Sequence, residues 1–276
     1  MPDIIEKRVK SADNAEIYYK ISKPKNKSSR PRPCIFFLHG LGLNNTCFKK
    51  EQGYFSDKGF ITINMDLRGH GNSESKGNLS LQSFAGDVRL ILKKERIKKA
   101  VIAGHSFGGM IALQFCSMFQ DMAKALILID SSYKLSLITI RPSFLLFDFL
   151  PCKVLTALGY RQHKKEPDTD FTRYKHNFQI VYKSIFATDR RTIKKCIKSM
   201  KSSMLEERLE KIKKPVLIIE TRDDEIFSKL SYRIMHKKIK NSRLDIIEGH
   251  HEVPISDPRS INREMMKFIK KVKPGP

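Results

Sequence analysis

No tryptophan occurs among the 276 residues, and only 29 aspartates and glutamates stand against 53 lysines and arginines, a formal charge of +24. Long apolar runs are missing as well. The longest, Ala125–Ile129 and Phe144–Leu150, fall far short of the roughly 20 residues that a helix needs to cross a bilayer, which excludes a transmembrane helix. Cysteine is sparse. Cys34, Cys47, Cys116, Cys152 and Cys196 are odd in number and none has C-x-x-C spacing, so neither a disulfide framework nor a zinc site is read. The first eight residues, Met1 to Arg8, already carry several charges, unlike a secretory signal, and the expectation is a reducing cytoplasm. The triplets Asn44-Asn45-Thr46 and Asn78-Leu79-Ser80 are then chance matches to the glycosylation pattern.

An excess of base invites a nucleic-acid reading. The lysines are dispersed, however, over residues 7–27, 93–99, 194–201, 211–214 and 267–273, interleaved with apolar positions. No recognition-helix, zinc-knuckle or aromatic RNA-binding pattern accompanies them, so no nucleic-acid partner is expected. Weak association with an anionic membrane or with acidic substrates is what the charge leaves open.

What the chain does have is a rhythm. Val9 to Tyr19 alternates on both sides of Asp13-Asn14 and reads as a β-hairpin. Continuous apolar runs follow at 34–38, 60–65, 100–103, 125–129, 216–219 and 244–247, as strands buried on both faces require. Between them come helical spacings: Phe84, Val88, Ile91 and Leu92; Met110 to Phe119; and Ile261, Met265, Phe268, Ile269 and Val272. The alternation predicts an α/β fold, a mostly parallel central sheet flanked by helices. Residues 133–213 break the rhythm with aromatic clusters and helical spacing but no strand. They are read as a helical cap inserted into a core made of 1–132 and 214–276. The length suits such a domain with an insertion.

Chemistry concentrates at Gly104-His105-Ser106-Phe107-Gly108-Gly109, directly after one apolar strand and directly before a helical pattern. G-x-S-x-G in that setting is a nucleophile elbow. The turn is so tight that side chains two positions before and after the serine would strike backbone. The following helix also aims its N-terminal N–H groups at the site.

With His39-Gly40-Leu41-Gly42 after an early strand and Asp66-Leu67-Arg68-Gly69-His70-Gly71-Asn72-Ser73 after the next, the chain resembles the α/β-hydrolase superfamily over nearly its whole length, in particular its serine esterases and lipases. The resemblance implies a Ser-His-Asp triad and an oxyanion hole, with no metal and no cofactor. It implies Ser106 as nucleophile, and backbone N–H groups of Leu41 and Phe107 as oxyanion donors. The acid falls on Asp224 by the count from Pro215, with Asp223 as alternate because Thr221 stands where the family has glycine. Asp130, at the end of an earlier strand, is a competitor. The base is His251 or its neighbour His250. Distance to Pro258 favours His251, and adjacency to Gly249 favours His250. His39, His70 and His105 are assigned to structure, and His163, His176 and His236 to the surface.

The function so implied is hydrolysis of a small-molecule carboxylic ester with a small or medium acyl chain, through an acyl-enzyme. An aminopeptidase or amidase, a carbon–carbon hydrolase, or a slow hydrolase-like receptor remain alternatives on the same site. Within the insertion, Phe144–Phe147 and Phe171–Ile180 either line an acyl pocket or pack the cap onto the core. The basic set Arg141, Lys153, Arg173, Lys175, Arg190 and Arg191 either favours acidic substrates or is solvated surface.

Overall fold

Apolar runs bounded by turns dictate the centre of the molecule. In the computed structural model, which describes residues 3–24, 32–136, 168–174, 180, 183, 184 and 187–272, they form one eight-stranded sheet. Its strands are β1 (Ile4–Lys10), β2 (Glu16–Ser22), β3 (Cys34–Leu38), β4 (Ile61–Met65), β5 (Ala100–His105), β6 (Ala123–Ile129), β7 (Val216–Thr221) and β8 (Ser242–Ile247). Their order is β1-β2-β4-β3-β5-β6-β7-β8. The hairpin β1–β2 joins β4 antiparallel, and every pairing from β4 to β8 is parallel. The chain therefore has the expected α/β architecture.

Alternation along the inner strands divides the core in two. Phe36, Leu38 and Ile102 face one layer, and Ile35, Phe37, Val101 and Ala103 the other. The first layer is closed by α2 (Leu81–Lys94), α3 (Phe107–Phe119) and α5 (Lys229–Lys238), through Phe84, Met110 and Tyr232 among others. The second is closed by α1 (Lys49–Asp57), the short α6 (Val253–Ser256) and α7 (Pro258–Lys271), through Phe55, Val253, Met265 and Phe268. Phe36 and Phe37 are fully buried, and such a side chain contributes about 1.5–3 kcal/mol by leaving water.

β8 departs from expectation. It is an edge strand, mostly half-buried, with Ile246 57% exposed. An apolar run at a sheet edge cannot be distinguished by sequence from one at its centre.

The helices are held at their ends as well as by their faces. Ser80 Oγ accepts the Ser83 N–H at 3.2 Å to cap α2, whose last turn carries Lys93 and Lys94. Asp257 caps α7 through the Ser260 N–H at 3.2 Å, with Pro258 in the first turn. Both arrangements suit the helix dipole or its unsatisfied N–H groups. The helix α1 escaped sequence reading because its buried face includes Glu51, Gln52 and Ser56, which hide an apolar period.

Residues 66–73 lock the loop after β4. Asp66 Oδ1 accepts the Asn45 N–H at 2.6 Å, and Oδ2 accepts the Asn72 N–H at 2.7 Å. Gly71 has φ of +46°, and a Cβ there would lie 2.2 Å from Asp66 Oδ2. Arg68 grips Asp87 of α2 with two parallel bonds of 2.7 and 2.6 Å, the fork geometry that a lysine cannot supply.

Of the insertion, the described parts include a short turn at Phe171–Arg173 and α4 (Arg190–Lys201). Phe171 and Ile180, from the chain between β6 and β7, are fully buried in the second core layer. Arg173 and Arg191 are exposed. Phe144–Phe147, Phe178, Arg141, Lys153, Lys175, His163 and His176 lie outside the described residues.

Candidate active site

The serine comes first. A strand that ends in Gly104-His105-Ser106 and turns at once into a helix must reverse within a few bonds, and Ser106 adopts φ +53°, ψ −117° to do so. An L-residue held there is strained, which occurs where neighbouring structure over-determines it. The glycines show how. A Cβ at Gly104 would lie 2.3 Å from the Gly108 carbonyl, and one at Gly108 would lie 2.1 Å from Leu38 O. The Ser106 N–H donates to Ile129 O at 2.9 Å, and Ser131 Oγ donates to Ser106 O at 2.7 Å. Ser106 is thus pinned at the carboxyl end of β5, at the N-terminus of α3, and is 8% exposed.

The loops after β7 and β8 bring the other groups. Asp224 is buried, and its Oδ1 accepts the Ile226 N–H at 2.7 Å and the Phe227 N–H at 3.1 Å. Its Oδ2 accepts the Tyr232 hydroxyl. The same Oδ1 lies 3.0 Å from His251 Nδ1. Burial opposes the Asp224 charge, but the His251 imidazole and these donors outweigh it, and the carboxyl stays below the usual range. Burial likewise opposes the His251 imidazolium. The Asp224 carboxylate, followed by Glu252 and Asp130, overcomes it and holds the pKa up at about 9.

His251 is tied to the serine's own turn. His105, the residue before Ser106, donates from Nε2 to His251 O at 2.8 Å, and the two rings stand 4.9 Å apart between centroids. Burial drives the His105 pKa down to about 3, so its ring is a neutral donor. His39 has the same character: Nε2 accepts the Leu67 N–H at 3.0 Å and Nδ1 donates to Gly40 O at 2.7 Å. His70 Nδ1 donates to Arg68 O at 3.1 Å.

The alternates point elsewhere. His250 is exposed, with Nδ1 2.6 Å from Glu225 Oε1, and Asp223 is exposed, its N–H bound to Gly249 O at 3.1 Å. Asp130, with φ of +39°, is buried beneath the site. Its Oδ1 accepts the Thr221 N–H at 2.7 Å and its Oδ2 the Thr221 hydroxyl at 3.0 Å. Burial, and then the Asp224 charge, push its pKa well up. Thr221, which sequence reading noted only as a missing glycine, is therefore the residue that occupies Asp130.

Leu41 lies in the loop after β3, where Gly42 has φ of +79° and a Cβ would lie 2.8 Å from Ser184 O. Thr188 Oγ1 also donates to Gly42 O at 3.3 Å, so Ser184 and Thr188 pack on this loop. Phe107 opens α3. Sequence reading missed Tyr232 and Glu252. The Glu252 carboxyl is buried, and burial raises its pKa to about 7. Nothing in a sequence reveals contacts made across separate loops.

A serine on a strained strand–helix turn, with a buried carboxylate–imidazole pair on the loops beyond it, sets the comparison with known proteins. The family model described as "Serine aminopeptidase, S33" matches residues 29–255. The chain belongs to this α/β-hydrolase family. It is 25% identical to the bifunctional esterase/perhydrolase DCH of Acinetobacter calcoaceticus, over 95% of this chain and 99% of that one. It is 27% identical to the AB hydrolase superfamily protein YisY of Bacillus subtilis, over 85% and 90%. A 100-residue stretch, 36% of the chain, is 33% identical to uncharacterised proteins of Mycobacterium tuberculosis and Mycobacterium bovis, of whose length it spans 29%. The hydrolase fold is shared with the enol-lactonase of Burkholderia xenovorans, at TM-score 0.75 and 17% identity over 96% of this chain and 100% of that one. It is shared also with an esterase of Exiguobacterium antarcticum, at 0.75 and 16% over 97% and 100%. Among the described residues, no helix of the chain is long and apolar enough to cross a membrane.

Proposed function

We propose that the chain is a serine hydrolase that cleaves carboxylic esters of small or medium acyl chains, with Ser106, His251 and Asp224 as its triad. The observation that carries this reading is the buried Asp224–His251 pair at 3.0 Å, joined through His105 to the turn that strains Ser106. In the proposed cycle, Ser106 Oγ attacks the ester carbonyl carbon while His251 Nε2 takes its proton. Asp224 holds the Nδ1–H tautomer and stabilises the imidazolium. The N–H groups of Leu41 and Phe107 receive the oxyanion, aided by the positive end of α3. Collapse expels the alcohol, which takes the proton from Nε2, and leaves an acyl-Ser106. Water repeats the sequence, its proton passing through His251, and releases the acid. The cycle consumes only the ester and water.

A full-length esterase relative supports the ester bond, and the four buried free thiols among the described residues suit a reducing compartment such as the cytoplasm. Residues 133–213 act in this reading as a cap, a role favoured by the packing of Ser184 and Thr188 on Gly42. The family description, serine aminopeptidase, favours a second reading, cleavage of an aminoacyl amide by the same residues.

A fluorophosphonate probe followed by peptide mass spectrometry tests the nucleophile: the label is expected on Ser106 and absent from Ser106→Ala. A folded Ser106→Ala protein with unchanged ester turnover overturns it. Nitrophenyl esters compared with aminoacyl arylamides then separate the two bonds.

A further inference from the structure

Away from Ser106, the middle of α3 borders a second concave surface through Gln114. A cleft of about 390 Å³ opens between the start of α2, the middle of α3, α4 and the segment after α4. Its lining carries Lys195, Lys198 and Arg208 and no aspartate or glutamate. Among the described residues, no carboxylate lies within ion-pair distance of Lys195 or Lys198. Concentrated positive charge is costly unless something answers it.

The start of α2 adds the positive end of a helix of 14 residues. Of its first N–H groups, that of Leu81 donates to Ser199 Oγ at 3.0 Å and that of Ser83 to Ser80 Oγ at 3.2 Å. The N–H of Gln82, between them, has no partner among the described residues, and Gln82 lines the cleft. Helix starts with unsatisfied N–H groups bind anions.

An independent observation comes from α3. Gln114 lines the same cleft, is only 3% exposed, and its Nε2 is buried without a hydrogen-bond partner. A buried amide donor left unmade costs about 1–3 kcal/mol, so a ligand acceptor is the natural complement. Ser199, having accepted from Leu81, keeps its own O–H to donate.

We propose that this cleft binds the phosphoryl group of a small organic phosphate monoester. Two ammonium groups and a helix start favour a dianion over a carboxylate, and the Gln82 N–H, the Gln114 amide and the Ser199 hydroxyl supply separate donors for its oxygens. The cleft volume of about 390 Å³ leaves space for an organic group beside the phosphoryl head. Gln114 lies two turns along α3 from Ser106, so the cleft is a site apart from the hydrolytic one.

Calorimetric titration of the full chain tests the assignment. Phenyl phosphate is expected to bind saturably at one site with a Kd of about 1 mM or tighter, inorganic phosphate more weakly, and phenol not at all. Lys195→Ala/Lys198→Ala is expected to weaken phenyl phosphate at least about tenfold, with unchanged nitrophenyl ester turnover and melting temperature, and Gln114→Leu about fivefold or more, with unchanged turnover and a melting temperature equal to or above the parent's. Lys194→Ala, an exposed change on the same helix outside the cleft, is expected to leave the Kd alone. Absence of saturation, equal weakening by Lys194→Ala, or phenyl phosphate binding no tighter than inorganic phosphate would each overturn the proposal. The exposed lysine pair keeps the test decisive if Gln114→Leu fails to fold.

Discussion

Replacing Asp224 by asparagine removes one charge and almost no volume, and its consequences can be worked from the geometry. The rise of the His251 pKa from 6.5 to about 9 corresponds to about 3 kcal/mol of preference for the imidazolium. Asp224 is the largest favourable contributor, ahead of Glu252 and Asp130, so the variant lowers the His251 pKa. The amide can also present its NH₂ to Nδ1 and favour the wrong tautomer. Together these effects predict a fall in kcat of about 10³–10⁴. Stability should respond with a defined sign. Because the folded pKa lies above the unfolded one, the imidazolium contribution is fully present below about pH 6.5 and is lost as pH rises through about 9. The parent should therefore melt above Asp224→Asn at pH 6, with the gap narrowing toward pH 9. The companion variant is Asp130→Asn, which exchanges a carboxyl already pushed toward its neutral form for a neutral amide. It should keep turnover within about tenfold. Steady-state hydrolysis of a short nitrophenyl ester, with calorimetric melting as the control for folding, measures both. The reasoning is refuted if Asp224→Asn stays within tenfold of the parent while Asp130→Asn loses activity. The acid would then belong to β6.

Other outcomes follow from the same coordinates. Since His251 must be neutral to accept a proton, kcat/KM should keep rising through pH 7 toward about 9, and a plateau reached below pH 7 would contradict the assignment. Gly108→Ala places a Cβ 2.1 Å from Leu38 O, a main-chain atom that cannot step aside. Urea unfolding should register a loss of about 3 kcal/mol or more, and a change below about 0.5 kcal/mol would show that the elbow can relax. Glu51 is fully buried, its pKa is pushed well up by burial, and neither carboxyl oxygen meets a donor from another described residue. Glu51→Met should then raise stability at pH 7 by about 1–3 kcal/mol, several degrees in Tm, whereas an unchanged or lowered Tm would mean that the carboxyl is better solvated than its burial implies.

Much of the architecture could be read from the chain because its causes are local. The stretches of β3, β5, β6 and β7 buried on both faces, at 34–38, 100–103, 125–129 and 216–219, are continuously apolar. Helices α2 and α7 repeat their apolar residues at the helical period. The elbow has the same legibility, since a turn that brings Gly104 onto Gly108 excludes side chains at fixed spacing. Elements lacking such a constraint were obscure. The helix α1 buries polar groups, and β8 looks apolar while lying at an edge.

The sequence by itself determined most of the sheet, the helices α2, α3 and α7 and the position of the serine turn, because each follows from sterics or burial among residues close along the chain. Only the tertiary structure decided which of two adjacent histidines faces a buried aspartate and which of three aspartates that is. His251 and Asp224 are 27 residues apart and meet across separate loops, while His250 turns to Glu225 and Asp130 is occupied by Thr221. Neighbours in a loop point in divergent directions, and that divergence is set by packing with distant elements.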